Sequence, residues 1–240
     1  MTRSLLVRGM IVGIVAGLIV FFAAHWLGEP QVERSIVFEA AVHQVNGEAP
    51  EPEVFSRRVQ KTAGLLTASV TYGAAIGGIF GLVFAYSYGR FGPSRPRALA
   101  ALLAGLAFVT ITLIPTLKYP SSPPAVGNPE TIGVRTAAFF LMICISIAAM
   151  ILSIKIARRL ALRFGTWNGA LSGAAIFITL TTTIAHFLPI IDEVPAGFPA
   201  DLLWRFRIAS WALQLLLWTA IGLYFGWLTE RDPRWLHVSA

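Results

Sequence analysis

Charge is what this chain has least of. Asp, Glu, Lys and Arg together make up 13% of its 240 residues, about half the usual share of a water-soluble domain. Such a surface cannot be clothed in polar side chains, so a soluble globule is excluded. Cysteine is nearly absent as well: Cys144 stands alone, which excludes a disulfide scaffold and any thiolate metal cage. It falls in an apolar run, where the expectation is a small packed hydrophobe. The chain lacks Gly-x4-Gly-Lys-Ser/Thr, His-Glu-x-x-His and any Cys/His metal spacing, so P-loop nucleotide chemistry and zinc hydrolysis are excluded. With no nucleophile–base constellation either, an enzyme is not expected. What remains is apolar: 56% hydrophobic residues and a mean hydropathy of +0.69. The chain reads as an integral membrane protein.

Six stretches contain no Asp, Glu, Lys or Arg: residues 9–28, 62–89, 98–117, 136–154, 164–191 and 208–229. Each is 19 to 28 residues long, and a spanning helix needs about 20. None alternates as a barrel strand would, and backbone groups in lipid must bond within their own segment. The expected fold is an all-α, six-helix bundle, one membrane domain over 1–240. Its helices are placed near 5–28, 62–89, 98–117, 134–156, 166–188 and 206–229. Arg3 and Arg8 before the first run imitate a secretory signal, but the run is long and lacks a small-x-small cleavage pattern. It is expected to be retained.

The charges are distributed by side. One set of connections, with both terminal segments, holds 11 Lys/Arg and only Glu230 and Asp232; the other holds 8 Lys/Arg and 10 Asp/Glu. Those partitions are +9 and −2, and sum to the chain's +7. Basic connections stay inside, so both termini are predicted in the cytoplasm of a multi-pass inner (plasma) membrane protein. The basicity matches lipid headgroups and does not indicate nucleic acid.

Glycine recurs every fourth residue in four of the spans: Gly9, Gly13 and Gly17; Gly73, Gly77 and Gly81; Gly169 and Gly173; Gly222 and Gly226. Such rows let helix backbones approach closely in lipid, within one chain or between copies of a homo-oligomer. Trp204, Trp211 and Trp218 share a helix face and are expected to pack or meet lipid. The outer connections, 29–61, 118–135 and 192–207, are read as long proline-rich loops, with Pro30 ending the first helix. A proline six residues before Arg58, Arg135 and Arg205 hints at three related hairpins. Asn128-Pro129-Glu130 reads as a helix start, and Arg135, Arg205 and Arg207 are expected to pair with Glu130, Asp201 or headgroups.

The candidate chemistry lies on that same side. His25 and Glu29 are four residues apart, as are Glu39 and His43. His186 sits within the fifth uncharged run, with Thr179 and Thr182 on its face and Asp192-Glu193 soon after. Imidazole plus carboxylate suits a borderline divalent ion such as Co²⁺ or Ni²⁺. Ionisable groups inside spans are expensive and mark pathways. The expected metal ligands are His25, Glu29, His186, Asp192 and Glu193, converging on a transported ion with no permanently bound cofactor.

Several strings resemble the CbtA family. They are Leu117-Lys118-Tyr119-Pro120, then Pro123-Pro124-Ala125-Val126-Gly127-Asn128-Pro129-Glu130 through Arg135-Thr136. Leu188-Pro189 follows, then Glu193-Val194-Pro195 and Phe198-Pro199-Ala200 to Phe206-Arg207. Upstream are Glu29-Pro30 to Glu39, and Phe55 to Gln60. The resemblance implies a cobalt transporter subunit serving cobalamin biosynthesis, partnered by CbtB, a small membrane protein with a histidine-rich end. It supplies no site residues. The family is often described with five spans; the charge partition here gives six. A non-transporting scaffold or metal-chaperone subunit for that partner is the competing expectation.

Overall fold

The computed structural model describes residues 2–47, 55–93 and 95–232. Among these residues there is no strand, and the chain forms seven helices. Six are long and apolar enough to cross a membrane: α1 (Thr2–Leu27), α3 (Arg57–Ser87), α4 (Pro96–Lys118), α5 (Pro129–Phe164), α6 (Thr166–Phe187) and α7 (Ala200–Glu230). The seventh, α2 (Glu29–Asn46), was not foreseen.

That helix corrects the reading of the first outer connection as a loop. Pro30 does not end structure; it opens α2 within the first turn, where a missing N–H would have had no intrahelical partner anyway. Gly28 keeps α1 in register by donating to Ala24 at 2.8 Å. Gly47, at φ +70°, then closes α2, its amide donating to the carbonyls of His43 and Gln44. A left-handed glycine at this position is a standard helix stop.

The chain divides into two compact units. One contains α1, α2, α3, the start of α4 and α7; the other contains the end of α4, α5 and α6. In the first unit α1 packs against α3 and α7, and α4 against α7. The glycine rows explain the closeness. A Cβ on Gly9 would overlap the carbonyl of Gly77, one on Gly13 that of Gly73, and one on Gly17 that of Ser69. Gly222 lies against Ala104, and Gly226 against Arg97 and Ala100. Further along α7, the Phe225 ring meets Phe80 and Phe84 edge-on at 5.3 and 5.0 Å. Arg8 and Asp232 are ion-paired at 2.6 Å, which joins the start of α1 to the residues just after α7.

In the second unit α5 and α6 pack antiparallel. Gly169 faces Ala157 and Ala161, and Gly173 faces Ala157 and Ser153. All four glycine rows thus meet partners inside the chain. Tyr119, Ala138 and Met142 form a buried cluster, closed by Ile114, Phe139, Ala185, Leu188 and Ile191. The part of α4 that enters this unit is wound as a π-helix over Phe108–Leu113. Buried Pro115 follows it, and a proline cannot supply a helix amide. Thr116 donates its hydroxyl to the Thr112 carbonyl at 2.6 Å, the bond a helical threonine commonly makes back to the preceding turn.

Some local expectations change. Helix α5 runs on to Phe164, so Lys155, Arg158, Arg159 and Arg163 lie on helix rather than in a connection. Cys144 is exposed instead of packed. Of the tryptophan stripe, Trp218 is buried and Trp204 is exposed. The first of the expected outer hairpins is formed by α1 and α3, which pack together; Pro52, which belongs to its part of the suggested repeat, lies outside the described residues.

Candidate functional site

In the first unit, His25 sits in the last turn of α1 and is exposed. Its ring lies 6.4 Å from that of Phe21, one turn back. Glu29, at the start of α2, is ion-paired with Arg57. Glu33, one turn on, lies 3.8 Å from both Arg57 and Lys61. These contacts fasten α2 to the start of α3. Farther along α2, Phe38 meets Phe198 edge-on at 5.0 Å, and Ser35, fully buried, donates to the Gln31 carbonyl at 2.9 Å. His43 and Glu39 are half-buried on the same helix.

In the second unit, His186 is exposed in the last turn of α6. Its neighbour Ala185 packs on the Tyr119 cluster; successive helix positions diverge by about 100°, so His186 is turned outward. Asp192 is exposed too. Glu193 is not free. One carboxylate oxygen accepts from the Asn128 amide at 3.0 Å and from Arg135 at 2.7 Å; the other accepts from the Thr131 hydroxyl. This corrects the expected pairing of Arg135 with Glu130. The segment carrying Glu193 folds over the beginning of α5, where a carboxylate is favoured by unpaired amides and by the helix dipole. Asn128 caps that helix as expected, its side chain accepting from the Glu130 amide at 2.9 Å.

The neighbouring strings join the same knot. The Tyr119 hydroxyl donates to the Pro189 carbonyl at 3.0 Å, and Lys118 to the Leu188 carbonyl at 3.2 Å. Gly127, at φ +129°, leaves space that the Arg135 guanidinium occupies. A side chain there would collide with that guanidinium and also strain the backbone. So the segments 117–120, 127–135, 188–189 and 193, far apart in sequence, form one bonded assembly.

Those bonds hold the Glu193 carboxyl below the ordinary carboxylate pKa, first through Thr131, then Asn128, with Arg135 adding to them. A depressed pKa fixes the sign. The stabilisation is complete above the unfolded value, near 4.3, and drains away as pH falls through the lower folded one. Glu193→Gln should therefore speed hydrogen exchange at the start of α5 at neutral pH. The wild-type chain should approach the variant's rate only in strong acid.

Of the five expected ligands, His25 and Glu29 belong to the first unit, and His186, Asp192 and Glu193 to the second. Among the described residues no group of three or more His, Cys, Asp or Glu could hold a metal ion. Sequence reasoning missed the commitment of Glu29 to Arg57 and of Glu193 to Arg135. No local signal announces pairs so far apart in the chain.

A family model described as probable cobalt transporter subunit (CbtA) matches residues 2–230. No match was found among curated proteins or among solved structures.

Proposed function

This chain belongs to the CbtA family of probable cobalt transporter subunits, and from that membership we propose that it takes part in Co²⁺ uptake supporting cobalamin synthesis. The family is one of transporter subunits, not of enzymes, and six membrane-length helices suit that role. The observation that carries the reading further is the state of the candidate ligands. His25, His186 and Asp192 are exposed, and no intrachain group completes a metal site among the described residues. A borderline divalent ion wants several nitrogen and oxygen donors at once. Donors from another chain would complete what this one begins, and a small CbtB-like membrane subunit with histidines at one end has the right chemistry. Glu29 and Glu193 would join only by releasing Arg57 and Arg135. The ion is cargo, held transiently.

A second reading is favoured by the same incomplete donor set: a non-transporting scaffold or metal chaperone for that partner. Uptake of radioactive cobalt by cells expressing this chain, the partner, both or neither separates the two. The transporter reading expects uptake to need this chain in addition to the partner. Uptake with the partner alone, undiminished, would support the scaffold reading.

In the proposed orientation both termini lie in the cytoplasm of the inner membrane. Reporter fusions near Arg95 and Arg159 should then report the cytoplasm, and one near Ser122 the outside. The reverse pattern would overturn the orientation.

A further inference from the structure

Four cations near the C-terminal end of α5 lack the intrachain partners that several helix-end cations of the first unit have. In the first unit, Arg8 is paired with Asp232 and Arg97 with Glu230. Arg231 lies over the Trp227 ring at 4.1 Å, while Arg90 donates to the Tyr86 carbonyl and stacks on its ring. Lys155, Arg158, Arg159 and Arg163 are all exposed. Among the described residues none of them has an ion pair or side-chain hydrogen bond.

Their spacing puts all four on one broad side of the helix. Complementing the helix dipole accounts for Arg163 alone, the one basic residue in the last turn; the effect fades within that turn. The other three lie earlier, where like charges three and four residues apart repel. The cluster therefore works against the isolated helix, and its compensation comes from outside the chain.

The neighbours identify the surroundings. Leu162, Phe164 and Trp167 are 89%, 60% and 74% exposed. An acidic soluble partner would satisfy the cations but leave this apolar trio in water. The boundary of a bilayer meets both needs. The 19 uncharged residues 136–154 extend about 29 Å as helix, close to the roughly 30 Å hydrocarbon core. Lys155 thus begins where the headgroups begin, and Trp favours that depth. Guanidinium groups bind phosphate oxygens in pairs. We infer that the C-terminal end of α5, together with Trp167 at the start of α6, is a binding surface for anionic phospholipid headgroups.

The test uses the full chain, purified in a neutral detergent and stripped of lipid. Phosphatidylglycerol or phosphatidylcholine is added, and retained lipid is counted by native mass spectrometry across a salt series. Phosphatidylglycerol should be retained preferentially, with the preference falling as salt rises. Each cation removed should weaken retention roughly fivefold, so Arg158→Gln, Arg159→Gln and Arg163→Gln combined should lose on the order of a hundredfold. Arg34→Gln, exposed on α2, should change little. A triple Arg→Lys variant should keep most of the binding, which guards against reading a folding defect as a binding loss. Equal retention of the two lipids would overturn the inference. So would undiminished binding by the triple Gln variant, or displacement of the lipid by inorganic phosphate at matched concentration.

Discussion

Gly77→Leu should prevent stable assembly of the first unit. A Cβ at Gly77 would already overlap the Gly9 carbonyl, and it would lie 2.8 Å from the Gly13 Cα. These obstacles are backbone atoms, so no rotamer change relieves them. The helices must separate, and every close contact along the row from Gly9 to Gly17 weakens with them. Overpacking a tight site costs about 1–3 kcal/mol where side chains can yield; here, with backbone opposed to backbone, the loss should reach or exceed the upper end of that range. Thermal unfolding in detergent and accumulation in the membrane both report it. Gly105 is the control, because nothing lies within 4 Å of a Cβ placed there. Gly105→Ala should be neutral or slightly stabilising, as a helix-interior glycine is the weaker helix former. A Gly77→Leu protein that accumulates and melts like the parent would refute the contact.

The second large effect concerns cargo rather than folding. His186→Ala and His25→Ala should each lower cobalt uptake per folded molecule roughly tenfold or more, since even supporting groups around metals are worth that much. Both imidazoles are exposed, so neither truncation opens a cavity, and melting should hardly move. Anchors at a membrane interface would behave oppositely, with small losses of stability and unchanged uptake per molecule. His43→Ala provides a comparison from a half-buried histidine on α2.

The parts of this architecture that are legible in the sequence are those set by local, one-dimensional patterns. Hydropathy runs locate all six crossing helices because a lipid-buried backbone leaves a segment little choice but helix. Asn128-Pro129-Glu130 is readable as a helix start because capping is decided within four residues. The glycine rows reveal which faces pack closely. They do not say that Gly9 meets Gly77 while Gly169 meets Ala157, since periodicity fixes a face and leaves its partner open.

Misreadings arose where one residue has two structural uses. Pro30 is as compatible with opening a helix as with closing one, and α2 has too little hydropathic signal to decide. Charge counting balanced Arg135 against nearby Glu130 and assigned Arg57 no partner. The actual partners, Glu193 and Glu29, are brought in by the fold across dozens of residues. Metal ligation suffers from the same long-range dependence. Residue chemistry nominates His25, Glu29, His186, Asp192 and Glu193, but convergence is a property of the tertiary structure, and two of these carboxylates, Glu29 and Glu193, are paired with arginine. The quoted strings of the resemblance gain a physical meaning in return, since several of them bond to one another at the Glu193 knot and the α2 knot.

If a second chain completes the metal-donor set that this transporter subunit begins, cobalt binding should require both chains. Cobalt binding to the purified chain, alone and co-purified with the small histidine-bearing partner, tests it most directly. Co²⁺ absorption in the visible range reports the number and kind of donors. The chain alone should give only weak, water-like cobalt spectra. With the partner, a nitrogen-ligated spectrum should appear and be diminished by His186→Ala or His25→Ala. A tight, stoichiometric nitrogen-ligated site in the chain alone, unchanged when the partner is added, would contradict it.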